Sequence, residues 1–157
     1  MGRILKFPKG SIVAIDKAYN DYTWYNYLTG NGINFVTRLK SNAMYRVLSR
    51  REVLKNKGLT SDQTIEFTGL QTAKKCPVQL RRIGYRDPES GKHYVFLTNN
   101  FKLAAKTIAD IYKARWQVDI FQPYCLHKFQ LIVFSLLFLH GNDKSTALAV
   151  PYIQATA

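Results

Sequence analysis

Ser11 to Ile15 (SIVAI) is an unbroken apolar, largely β-branched run that ends at Asp16. It lacks the polar-apolar alternation of a half-exposed strand, so it predicts a strand buried inside a sheet. Asn20 or Asp21 can cap a short helix over Tyr22–Leu28, and Gly30 and Gly32 mark its end. Ile33 to Leu39 (INFVTRL) follows as a second strand. Strand, helix and strand in this order predict a right-handed crossover with the two strands parallel in one sheet. The Asp16 carboxylate is thereby left at the carboxyl end of a strand.

Between residues 41 and 100 the pattern changes to short strands separated by polar turns: Tyr45–Leu48, Thr64–Phe67, Val78–Tyr85 and His93–Thr98. The last two flank Arg86–Lys92 (RDPESGK), whose Asp-Pro and Ser-Gly steps predict a hairpin. An antiparallel β-rich insertion is the simplest reading of this block. It carries Arg46, Arg50, Arg51, Lys55, Lys57, Lys74, Lys75, Arg81, Arg82 and Arg86. These can form a nucleic-acid face, or they can be the cations that solvated strand edges collect to prevent edge pairing.

Asn99 or Asn100 can cap a helix over Ala104–Phe121. At about 100° per residue, Ala104, Ile111, Ala114 and Val118 form one apolar stripe, and Tyr112, Arg115 and Asp119 share a second face. Spacing alone predicts only an Arg115–Asp119 surface pair worth a few tenths of a kcal/mol. Trp24, Trp116 and the tyrosines at 19, 22, 25 and 27 read mainly as packing between helices and sheet.

Charge narrows the function classes. The 157 residues carry a formal charge of +13 with 46% hydrophobic content, which excludes a disordered chain and points to a polyanionic partner. Met1–Phe121 holds 21 basic and 9 acidic residues, whereas Gln122–Ala157 holds only Lys128, Lys144 and Asp143. The tail instead contains FQLIVFSLLFL, about 11 residues long and short of the roughly 20 that a helix needs to cross a bilayer. MGRILKFPKGS has no apolar core of a signal peptide. Cys76 and Cys125 have no zinc-ligand spacing and read as reduced thiols of a cytoplasmic protein.

Two motifs together carry a family resemblance. KGSIVAIDKAYNDYTWYNYL resembles the second-aspartate region of bacterial insertion-sequence transposases of the insertion-sequence-four group, in which an apolar strand ends in Asp before a Gly/Ala-Tyr step, here Ala18-Tyr19. IYKARWQVDIF resembles the same family's signature Y-x2-R-x3-E-x6-K, matched at Tyr112, Arg115 and Asp119. GINFVTRLKSN and VFLTNNFKLAAKTIADIYKARWQ add similar text between them.

The resemblance implies an α/β chain with a partial ribonuclease-H-like fold interrupted by the β-rich insertion, and a DDE triad of acids holding two divalent cations, Mg²⁺ or Mn²⁺. By that likeness Asp16 and Asp119 are the catalytic, metal-holding acids, and Tyr112 and Arg115 position DNA ends or phosphates. Apart from the likeness, Arg38 and Lys40, just past a strand, can contact a DNA backbone or be plain solvated cations. The implied partner is double-stranded DNA at transposon ends, with room for a homodimer in the intact family, no membrane, and a nucleoid location.

Three positions depart from the pattern. No acid precedes Asp16, position 119 has Asp for the family's Glu, and position 126, where the signature has Lys, is Leu126. The charge break and the end of the resemblance coincide at Phe121. This predicts residues 1–121 as a partial catalytic domain and 122–157 as a divergent tail, produced by a frameshift near codon 122 or by authentic divergence.

Overall fold

A computed structural model describes residues 7–121, 132–136 and 149–153, with side chains through residue 115. Strands β1 (Ile12–Ala14), β2 (Asn34–Arg38), β3 (Tyr45–Arg51), β4 (Leu59–Phe67), β5 (Leu80–Arg86), β6 (His93–Thr98), β7 (Ile132–Leu136) and β8 (Ala149–Ile153) form one sheet. Its order is β3-β4-β5-β6-β2-β1-β7-β8. Helices α1 (Tyr22–Gly30), α2 (Leu70–Lys75) and α3 (Ala105–Phe121) complete the fold.

β1 and β2 are parallel, with Val13 opposite Phe35, as the crossover order requires. Every other pairing is antiparallel. The β3–β6 block is continuous with the β1–β2 unit, because β6 pairs with β2 through Arg38–Phe96 and Val36–Thr98. On the far side of β1, β7 pairs with Val13 through Val133, so part of the apolar run after Phe121 joins the same sheet.

The apolar run at β1 is explained by two covered faces. Ile12 and Ala14 pack with Val36, Ile83, Phe96, Ile108 and Tyr112 beneath α3. Val13 and Ile15 point the other way, into Trp24, Tyr25, Leu28, Phe35 and Leu97 beneath α1. Tyr25 stacks on Phe35 with ring centroids 4.5 Å apart and is fully buried. Burial pushes its phenol pKa upward.

Asp21 Oδ1 accepts hydrogen bonds from the Thr23 and Trp24 amides, as a helix N-cap should. Asp21→Ala is therefore expected to cost about 1 kcal/mol of stability, measurable as a lower thermal midpoint. Asn99 binds the other end of α1 to the sheet, receiving the Phe35 amide and donating to Ile33 O and Thr29 Oγ1. Asn100 Oδ1 caps the turn before α3 by accepting from the Lys102 and Leu103 amides.

Arg81 does not belong to the cationic surface. It is 4% exposed and grips Asp62 through Nε (2.9 Å) and Nη2 (2.6 Å), while Nη1 donates to Asn100 O and Leu103 O. A guanidinium can be buried here because one carboxylate and two carbonyls receive its donors. Arg46 is paired with Glu66, and Arg82 donates to Ser61 and Gln63. Cys76 is buried, and burial raises its thiol to about 11, which keeps it protonated and unreactive. Cys125 and Leu126 lie outside the described residues. Among the described residues no helix is long and apolar enough to cross a membrane.

Candidate active site

Asp16 follows β1 where the chain turns into a short 3₁₀ segment, Lys17–Tyr19. Its Oδ1 accepts the Ala18 amide at 2.8 Å and so caps the start of that segment. That accounts for one oxygen. The other, Oδ2, receives Arg115 Nη2 at 2.7 Å. Arg115 is thus tied to Asp16 across the sheet, and the two motifs, almost a hundred residues apart in sequence, meet at one carboxylate.

This meeting follows from the path of α3. The helix starts beside Asn100, at the end of β6, and runs back over the sheet toward the carboxyl ends of β1 and β2. Tyr112 is 1% exposed, with its ring 5.1 Å from Phe96 and the Arg115 guanidinium 5.3 Å from its centroid. Desolvation raises its phenol pKa, partly offset by the Arg115 charge. Tyr112 therefore anchors α3 to the sheet and supports Arg115. Asp119 lies one helical turn beyond Arg115 in the backbone of α3.

Asp16 is about a third exposed on its side chain and borders an open hollow of about 720 Å³. Lys17, Ala18, Arg38, Lys40, Ser41 and Asn42 complete its lining. Arg38 and Lys40 reach it from the end of β2, and Arg38 also lies over the Tyr94 ring at 5.1 Å. The structure brings Asp16, Arg38, Lys40 and Arg115 to the same sheet end. Lys17, Ser41 and Asn42 were not singled out by sequence reasoning. Their signal was their position immediately after strand ends, where open α/β sheets place ligands.

In chemical terms the hollow offers one carboxylate and several cationic or hydroxyl donors, an arrangement that suits phosphate oxygens. Among the described residues no group of three His, Cys, Asp or Glu side chains stands close enough to hold a metal ion.

A second contact locks α3 farther along the sheet. Lys113 Nζ donates to Asp87 Oδ1 at 2.8 Å, and Ser90 Oγ donates to Asp87 Oδ2 at 2.6 Å. These bonds hold the Asp87 carboxyl down at about 2. Sequence spacing gave no sign of this pin, which joins residues 26 positions apart.

Residues 2–120 match the family model described as "Transposase DDE domain". The chain is 32% identical over 152 residues to the protein named "Putative transposase y4zB" of Sinorhizobium fredii, a match covering 94% of this chain and 41% of that protein. The chain thus spans about two-fifths of the length of this curated relative. No solved structure matches it. With the matched region spanning both motifs that converge on Asp16, the chain belongs to the DDE transposase domain family.

Proposed function

We propose that this chain is the part of a DDE transposase that binds transposon DNA ends and contributes to metal-dependent strand cleavage and transfer. The observation that carries the proposal is the Asp16–Arg115 contact, which unites the second-aspartate segment with the Tyr112–Arg115–Asp119 helix. Arg38 and Lys40 hold the DNA backbone by contacts to phosphate oxygens. Arg115, kept from solvent by Tyr112 and the sheet, orients Asp16 at the edge of the hollow.

The donor chemistry bears on the metal. Asp16 is a hard-oxygen donor facing an open hollow, which suits Mg²⁺ or Mn²⁺, and Asp119, one turn past Arg115, is the second candidate acid. When bound, such ions neutralise charge on the attacking and leaving oxygens of a phosphodiester. Pairing of DNA ends by a homodimer and work at the cytoplasmic nucleoid belong to the same reading. So does a boundary near Phe121, which the family match ending at residue 120 supports.

A second reading, a non-catalytic basic module that binds DNA or RNA, draws on the single described carboxylate standing among Lys17, Arg38, Lys40 and Arg115. One experiment separates the two. The purified chain is incubated with end-bearing DNA and Mg²⁺ or Mn²⁺; with no acid before Asp16 it is expected to be inactive alone, and nicking that disappears in Asp16→Ala would show that catalysis survives in it. Salt-sensitive binding without nicking would select the binding module, and neither binding nor nicking would remove both readings.

A further inference from the structure

The chain runs β1 and β2 toward the Asp16 hollow, and the antiparallel pairings bring the end of β5, the start of β6 and the start of β4 to that same rim of the sheet. A second open hollow, of about 570 Å³, sits there, lined by Lys55, Gly58, Thr60, Arg86, Asp87 and Gly91. Lys55 and Arg86 are exposed cations, and Lys57 and Lys92 are exposed beside them. The one acid in the lining, Asp87, is neutralised by Lys113 and bonded to Ser90, so it does not oppose an incoming anion.

The walls of this hollow are held in place. Gly58 has a left-handed φ of +78°, and its carbonyl accepts the Arg86 amide at 2.7 Å. A Cβ at Gly58 would come 2.5 Å from Arg86 O, so only glycine permits this approach. Arg86 Nε donates to Gly91 O across the hairpin. Lys113, which pins the hairpin, stands two residues before Arg115 on α3. One helix therefore fixes the spacing between the two hollows.

We propose that the Lys55–Arg86 hollow is a second phosphate-binding station for the same DNA that lies against Asp16. The proposal rests on the DNA-binding reading of the Asp16 hollow. Three strand spacings separate β5 from β1, about 14 Å, and Arg86 lies three residues farther along the strands than the level of Arg38, about 10 Å. Together these give about 17 Å, which corresponds to the axial rise of about five base pairs. The station thus contacts the flank of a duplex whose reacting phosphate sits at Asp16.

The test measures how binding to a 20-base-pair duplex depends on salt, for the intact chain and three paired variants. Lys55→Gln with Arg86→Gln is expected to reduce the slope of log affinity against log salt by about 1.8, the loss of two phosphate contacts. Lys74→Gln with Lys75→Gln removes the same charge from α2, which follows the opposite end of β4, and is expected to leave the slope unchanged. Arg38→Gln with Lys40→Gln reports the Asp16 hollow. Equal losses in the first two pairs would overturn the station, because the effect would then be general charge. No loss in the first pair alongside a loss at Arg38 and Lys40 would overturn it and leave the DNA-binding reading standing. No loss in any pair would overturn both. Arg86→Lys, which keeps the charge, should bind as the intact chain does, and a loss there with an unchanged melt would also count against the station.

Discussion

Arg81→Leu is expected to lower the unfolding free energy by about 3–5 kcal/mol, the cost of removing one partner from a buried ion pair. The substitution strands the Asp62 carboxylate, which is 5% exposed, with only Arg51 Nη1 nearby at 3.4 Å. It also removes the donor shared by Asn100 O and Leu103 O, the two carbonyls that lead into α3. A loss of this size is a large share of the 5–15 kcal/mol that typically separates folded from unfolded domains. Denaturant unfolding measures the loss, and amide exchange should show it concentrated at the start of α3. Asp62→Asn combined with Arg81→Met removes both charges and should restore more than half of the stability. If the double variant were as unstable as Arg81→Leu alone, an uncompensated carboxylate would not be the cause.

Arg115→Met is expected to cost about 2–3 kcal/mol, less than Arg81→Leu, because Asp16 is about a third exposed and water can replace part of the lost contact. Its functional consequence is expected to be larger than its structural one. Without the guanidinium, Asp16 keeps only the Ala18 amide as a described partner and the last turns of α3 lose their tie to β1. DNA nicking, where the intact chain supports it, should then disappear while the chain still melts cooperatively. Asp16→Asn in the Arg115→Met background should cost little further stability, since the two groups act as a pair. Additive losses in that cycle would show that the pair is not coupled.

Local chemistry was legible wherever a few neighbouring residues decide it. The β-branched run before Asp16, the Asp21 cap, the hairpin at Arg86–Lys92 and the period of Ala104–Phe121 all specify their own geometry. Asp16 and Arg115 stand out by their motifs and Arg38 and Lys40 by their position beyond a strand, and the structure places all four at one sheet end. Arg81 was misread as a surface cation because its burial depends on Asp62 and on two carbonyls that no local pattern brings near it. The reading of Arg115 as a helix-surface partner of Asp119 gave no hint that its guanidinium reaches Asp16.

The sequence by itself determined a cationic chain, strands β1 to β6, helices α1 and α3, and the two motifs of a DDE transposase domain, because composition, periodicity and capping act over a few residues at a time. Only the tertiary structure decided that β6 adds to β2, that α3 crosses back to β1, and that one carboxylate joins both motifs. Those outcomes depend on strand pairing and on burial of two apolar faces across long stretches of chain. The same strand pairing brought a second cationic hollow to the rim that holds Asp16, and Lys113 pins its Asp87 wall.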